Sequence, residues 1–464
     1  MWVFLSALAA LIVGYIIYGS IVEKVFGADH KRITPAVEKP DNVDFMVLPT
    51  WRVFLIQFLN IAGLGPVFGA ILGAIYGPVA LFWIVLGSIF AGGVHDYLSG
   101  MMSLRESGKS LVAVVEKYMG KHTKVVFLLF MTGFLLLLGA VFAMSPAHML
   151  ADMTQTAFIW WITAVFGYYF LATLLPIDKI IGRFYPLFAL VLLIVTVALI
   201  VMLFVNGHEF YPNLNLDNQH PSKLPIFPLM FVTIACGALS GFHATQSPLM
   251  SRCLANEKYG RPIFYGAMIT EGIVALIWAT LGMSFYHGSQ GLFEAVSATG
   301  PGGVVSDIAN GHLGKIGGMM AILAVVLLSI TSGDTAFRSA RLTIGDYWGG
   351  KDFKRRLLIS IVVLSGGIAM SFFDLTTIWT YFGWANQCLA TIVLWTASVY
   401  LWRHGKCFWI TLLPAGFMTA VCVTYIMFDK IGFSLPIRYS VISGVIVAVV
   451  AVLFFIFKTK KDDK

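Results

Sequence analysis

Thirteen apolar runs of about twenty residues fill most of this chain, centred near residues 12, 63, 88, 133, 166, 194, 238, 274, 326, 364, 390, 418 and 447. A run of that length is what an α-helix needs to cross the hydrocarbon core of a bilayer. Composition points the same way. Of the 464 residues, 58% are hydrophobic and only 12% are charged, about half the charged share of an ordinary soluble protein. The expected fold class is therefore an all-α integral membrane protein with about thirteen transmembrane helices. The first run starts at Trp2 without a basic segment before it and stays apolar through Ile21, which reads as a retained helix, not a cleaved leader.

Charge tests the count, because one span too many or too few would scramble the two sides of the membrane. Assigned to the nearest loop or helix end, 27 of the 31 Lys and Arg residues fall in the connections after spans 1, 3, 5, 7, 9, 11 and 13. This predicts a chain in the cytoplasmic membrane of a bacterium or archaeon, with the N-terminus outside and the C-terminal KTKKDDK in the cytoplasm. The net charge of +8 then reflects loops facing anionic lipid, not nucleic-acid binding.

Two spans are interrupted. In the seventh, GALSGFHATQSP (Gly237–Pro248) places a histidine, a glutamine, hydroxyls and a proline inside an apolar stretch. In the second, NIAGLGP (Asn60–Pro66) does the same with glycine and proline. Backbone freed at membrane depth is tolerated where it is buried in protein or lines a polar cavity, and such breaks mark binding sites in transporters. Five spans separate the two breaks, which gives the broken helices opposite orientations. The expected organisation is one transmembrane domain over 1–464. It comprises an extra helix and loop (1–50), a five-helix repeat (51–206), an inverted five-helix repeat (226–404) and two further helices (405–464), with substrate held near the midplane between broken helices 2 and 7. Gly65, Gly69, Gly73 and Gly77 recur at four-residue spacing and predict a face for close helix packing.

Ionisable and amide groups inside spans are the remaining signal, since each is costly there. His95 and Asp96 lie in the third span, a proton-holding neighbourhood or a pair near a helix end satisfied by water and backbone. His243, Thr245 and Gln246 lie beside the break of the seventh span, where a half-helix amino end can receive a carboxylate. In the ninth span Asp334, Arg338 and Arg341 share a face; the arginines read as structural and Asp334 as a group that titrates during transport. Thr331 and Ser332, with carbonyls near Ala62 and Gly63, form a candidate sodium site, although hydroxyls in helices often bond their own backbone. Trp384, Asn386 and Gln387 in the eleventh span offer an aromatic face and amides, which also serve as packing glue.

Enzyme motifs fail. SLRESGKS at Ser103–Ser110 lacks the first glycine of a phosphate-binding loop and follows a membrane helix, and there is no HExxH and no GxSxG. A metal gathered by His95, Asp96 and His243 is the one enzyme-like arrangement left open. The five cysteines show no CxxC spacing and are expected to be free thiols.

The segments FLNIAGLGPVFGAI, GGVHDY, CGALSGFHATQSP, SGDTAFRSARL and YFGWANQCLA, taken in order, resemble the carbon starvation protein A (CstA) family, within the amino acid–polyamine–organocation transporter superfamily. The resemblance implies the inverted five-helix core and uptake of peptides during nutrient limitation, with proton-coupled pyruvate uptake in some members. It points to the neighbourhoods of Gly63–Pro66, His95–Asp96, Gly241–Gln246, Asp334 and Asn386. Members often carry further spans after the shared core, and contacts those helices make to larger substrates are not carried over. The expected function is uptake of short peptides, driven by protons in preference to sodium, with no cofactor. Pyruvate or another small carboxylate is the alternative substrate, and a nutrient sensor or channel the alternative class. The candidate substrate contacts are Gly63, Gly65, His95, Gly241, His243, Thr245, Gln246, Trp384 and Asn386, and the candidate proton carriers His95, Asp96 and Asp334. The oligomeric state is left open.

Overall fold

The computed structural model describes residues 1–41, 44–174, 177–207, 210, 215–348 and 353–462, and among them finds helices and no strand. Lys351 and Lys464, two of the cations in the topology reading, lie outside them. We label the main helices α1 (Trp2–Phe26), α2 (Thr50–Ala62), α3 (Gly65–Ala74), α4 (Val79–Arg105), α5 (Lys121–Thr154), α6 (Phe158–Leu174), α7 (Ile177–Val205), α8 (Gly241–Ser251), α9 (Glu257–Phe285), α10 (Ser289–Trp348), α11 (Phe353–Met370), α12 (Leu375–Arg403), α13 (Trp409–Phe428) and α14 (Ile437–Asp462).

Among the described residues eight helices are long and apolar enough to cross a bilayer, or nine if α2 and α3 count as one bent span. Of the thirteen expected centres, eleven fall on a helix and two, near residues 63 and 238, fall in the breaks. α6, α8, α11 and α12 lie outside the eight; α6 is only 17 residues long. The sequence reading missed the helical stretch that precedes the ninth span. α10 already starts at Ser289 and turns sharply at Gly300 and Gly314, whose φ values of +70° and +65° are open to glycine and strained for other residues.

The second span breaks because Gly63 takes φ +47° and ψ −153°, ending α2. Pro66 then lacks the N–H that a continuous helix would bond to Ala62, and its ring would clash with that carbonyl. α3 leaves at 56° to α2. The seventh span breaks earlier than expected: residues 234–240 are the non-helical part, and Gly241–Ser251 is regular helix with Pro248 inside it. A proline within a helix removes one backbone hydrogen bond, and here the helix continues through it.

The packing is inverted relative to a soluble protein. α1 and α14 carry exposed Ile16, Ile17, Ile446, Phe454 and Phe457, as a lipid-facing surface requires. α4, α8 and α9, and α2 from Leu55 onward, bury nearly all of their residues, polar ones included. α1 packs on α9, α5 along α10, and α13 joins α14 to α12. A mostly apolar groove of about 870 Å³ opens on the flank between α1, α2 and α9, lined by Ile12, Trp51, Phe54 and Ile273 with Thr50 and Thr270, and shares no residue with the polar centre described below. At one end of the bundle the buried Glu257 accepts two hydrogen bonds from Arg105, at 3.2 and 3.1 Å, and one from the Asp29 backbone N–H at 2.7 Å. Removing one partner from such a buried pair costs about 3–5 kcal/mol, so this clamp holds the loop after α1 against the start of α9.

Candidate functional site

Several of the groups freed by the break before α8 bond to distant helices. The Phe231 carbonyl accepts from Gln387 Nε2 at 3.0 Å, the Ile234 carbonyl from Trp83 Nε1 at 3.2 Å and the Gly237 carbonyl from Ser88 Oγ at 3.1 Å. At the amino end of α8, Asn386 Oδ1 accepts from the Phe242 backbone N–H at 2.9 Å and from Ser240 Oγ at 3.0 Å. α4 and α12 thus supply the hydrogen bonds that lipid cannot. Asn386 caps the half-helix, and Gly241 makes room for it: a Cβ at Gly241 would lie 2.3 Å from the Asn386 carbonyl oxygen.

The two breaks touch. A Cβ on Gly65 would sit 2.1 Å from Cys236 Cβ, so the start of α3 rests directly on the unwound segment before α8. Only glycine permits that approach.

The centre of the site is a chain of ionisable groups with no solvent exposure. His95 and Asp96 are buried inside α4, away from both of its ends. His95 Nδ1 lies 2.8 Å from Asp96 Oδ1, and His243 Nδ1 of α8 lies 2.8 Å from Asp96 Oδ2. An ionised carboxylate only accepts, so both imidazoles present Nδ1–H to it. His243 Nε2 then points at Glu271 Oε2 of α9, 3.3 Å away, without forming a hydrogen bond. Both Glu271 oxygens and His95 Nε2 are buried without a hydrogen-bond partner. The sequence reading missed Glu271 even though TEGIVALIW carries a lone carboxylate in an apolar run, the pattern that makes an intramembrane residue a site candidate. It also missed Cys236, whose Sγ, a ring nitrogen of His243 and a Glu271 oxygen all lie within 4.8 Å of one another.

The other candidates separate into different neighbourhoods. Thr245 and Gln246 face α10: Gln246 Nε2 donates to Thr245 Oγ1 at 2.8 Å and to Ser339 Oγ at 3.3 Å. Asp334, deep in α10, accepts from Tyr185 of α7 at 2.5 Å on Oδ2, while its Oδ1 has no hydrogen-bond partner. Arg338 donates to the Ala172 carbonyl at 2.6 Å. Of the candidate sodium ligands, Thr331 bonds its own helix at Leu328 O, 2.9 Å away, and Ser332 Oγ lies 3.4 and 3.5 Å from the Leu59 and Asn60 carbonyls, with Ala62 and Gly63 following at the end of α2. Trp384 turns away from Asn386 and donates to the Cys422 carbonyl of α13 at 3.1 Å.

Comparison with known proteins agrees with this architecture. The family model for carbon starvation protein CstA matches residues 1–160, 144–285 and 286–425. An uncharacterized membrane protein of Haemophilus influenzae is 44% identical over 348 residues, covering 64% of this chain and 94% of that one. The peptide transporter CstA of Campylobacter jejuni is 26% identical over 546 residues, 89% of this chain and 78% of its own. The pyruvate/proton symporter BtsT of Escherichia coli is 28% identical over 400 residues, 72% of this chain and 55% of its own. Among solved structures, a variant of the Eremococcus coleocola manganese transporter superposes with a TM-score of 0.58 at 10% identity, covering 91% of this chain and 99% of that one. The likeness at that identity concerns the fold. The chain is a multi-pass membrane protein on a transporter fold, not an enzyme, and it belongs to the carbon starvation protein CstA family.

Proposed function

We propose that the protein is a secondary transporter that takes up short peptides across the cytoplasmic membrane, driven by protons. The observation that carries this reading is the contact between the two broken spans at Gly65 and Cys236, because breaks that meet inside a bundle are where such transporters hold substrate. On this reading the chain has thirteen spans, and its core is two inverted five-helix repeats over 51–206 and 226–404. A peptide's carboxylate is received near the amino end of α8, beside Asn386 and the backbone of Gly241. Its amine faces the carboxylate of Asp96. The coupling proton sits on Asp334, whose Oδ1 is buried and bare. Peptide transporters among the relatives support this substrate class, and the pyruvate/proton symporter supports proton coupling.

The direct test is uptake into proteoliposomes holding only the purified protein, comparing labelled dipeptide with labelled pyruvate under an imposed proton gradient. Dipeptide accumulation that collapses with the gradient is expected. Pyruvate accumulation alone would replace peptide with a small carboxylate, and downhill flux without substrate-stimulated exchange would make the protein a channel.

The orientation has its own test. Cys407 is exposed, follows α12, and belongs to the side that carries most of the cations. A membrane-impermeant thiol reagent is expected to label Cys407 in inside-out vesicles and not in intact cells. Labelling from outside would invert the topology.

A further inference from the structure

His243 Nε2 and Glu271 Oε2 face each other at 3.3 Å with no hydrogen bond between them. With Nδ1–H given to Asp96, the neutral imidazole turns its Nε2 lone pair toward a carboxylate oxygen. Two acceptors at that distance repel unless a cation lies between them. A proton would serve the His243–Glu271 pair without engaging the third corner, Cys236 Sγ, which lies within 4.8 Å of both and has only a long 3.4 Å contact to Ser240 Oγ as a thiol. All three side chains are fully buried, and the second Glu271 oxygen is also without a partner.

We propose that Cys236, His243 and Glu271 form a binding site for a divalent transition-metal ion of the zinc or cobalt type. A thiolate, an imidazole and a carboxylate are the donor set such ions take, with ligand atoms roughly 3.3–3.8 Å apart around a tetrahedral centre. The three donors need to close by about 1 Å at most to reach that spacing. The Asp96···His243 contact supplies the outer support common to metal-bound histidines: a carboxylate holding the distal N–H, fixing both tautomer and ring plane. The ion would neutralise Glu271 and tie the unwound segment at Cys236 to α8 and α9. Three protein donors leave a fourth position for water or a carboxylate. The site stands whether or not peptides are the cargo.

Cobalt reports on each ligand. The full chain, purified in detergent, stripped with chelator and titrated with Co²⁺, is expected to take up one ion per chain, with a thiolate-to-cobalt charge-transfer band and the visible bands of a tetrahedral centre. Cys236→Ser should abolish the charge-transfer band, while Cys407→Ser, at the exposed thiol, should leave it intact. Glu271→Gln should weaken Co²⁺ binding at least tenfold. Absence of stoichiometric cobalt in a monodisperse preparation, a thiolate band that survives Cys236→Ser, or affinity unmoved by Glu271→Gln would each overturn the assignment. Transport plays no part in this readout, so failure here and failure of the uptake reading are distinguishable.

Discussion

Asp334→Asn is expected to abolish uphill accumulation while leaving substrate exchange running. The carboxyl is wholly buried in α10, one oxygen is held by Tyr185 at 2.5 Å and the other is bare. Asparagine keeps the shape and can still accept from Tyr185, but it takes up no proton in the physiological range. For one proton per substrate, a gradient of one pH unit is worth about 1.4 kcal/mol and supports at most about tenfold accumulation. In proteoliposomes the variant's steady-state ratio should fall from near that limit to about one, with labelled substrate still entering by counterflow against unlabelled substrate inside. Tenfold accumulation retained with unchanged pH dependence would remove Asp334 as the proton carrier. Loss of counterflow as well would assign it a structural role.

Much of this arrangement is legible in the sequence because its physics is local. Gly63 and Pro66 each weaken a continuous helix within one turn of each other, and the second span breaks there. The break of the seventh span lies earlier than its polar residues predict, because polar composition does not by itself mark irregular backbone. His243, Thr245, Gln246 and Pro248 are helical, and the true break at 234–240 is mostly apolar. Its cause is tertiary: Trp83, Ser88 and Gln387 arrive from distant helices to satisfy the backbone. Helix geometry alone separates Trp384 from Asn386, since two residues at 100° each point to nearly opposite faces. Asn386 accordingly caps α8 while Trp384 packs on α13. Conversely, the pairing of Tyr185 with Asp334 joins residues 149 positions apart, and no local pattern announces it. Glu271 was readable as a lone carboxylate in an apolar run, but its partner on another helix was not.

Asp96→Asn is expected to lower both stability and uptake. Among the described residues Asp96 is the carboxylate that joins α4 to α8: its two oxygens receive His95 and His243 at 2.8 Å each. An amide offers one accepting oxygen and one donating nitrogen, so one of the two imidazoles must give up its Nδ1–H or meet N–H with N–H. If His243 yields, its proton moves to Nε2 and faces Glu271, which removes the lone pair there. If His95 yields, its proton moves to a buried Nε2 that has no partner. Either outcome breaks a buried ionic network, a class of change that costs about 3–5 kcal/mol. We expect a clearly lower unfolding temperature in detergent and uptake reduced at least tenfold. Asp96→Glu should recover less than half of it, because Asp96 is wholly buried between two fixed imidazoles and an added methylene in such packing costs about 1–3 kcal/mol. Thermal unfolding and uptake measured on the same preparations decide the matter. An Asp96→Asn protein as stable and as active as the parent would show that the histidines hold their places without the carboxylate, and that packing and the 2.7 Å Ser251–Gly100 hydrogen bond suffice to join α4 and α8.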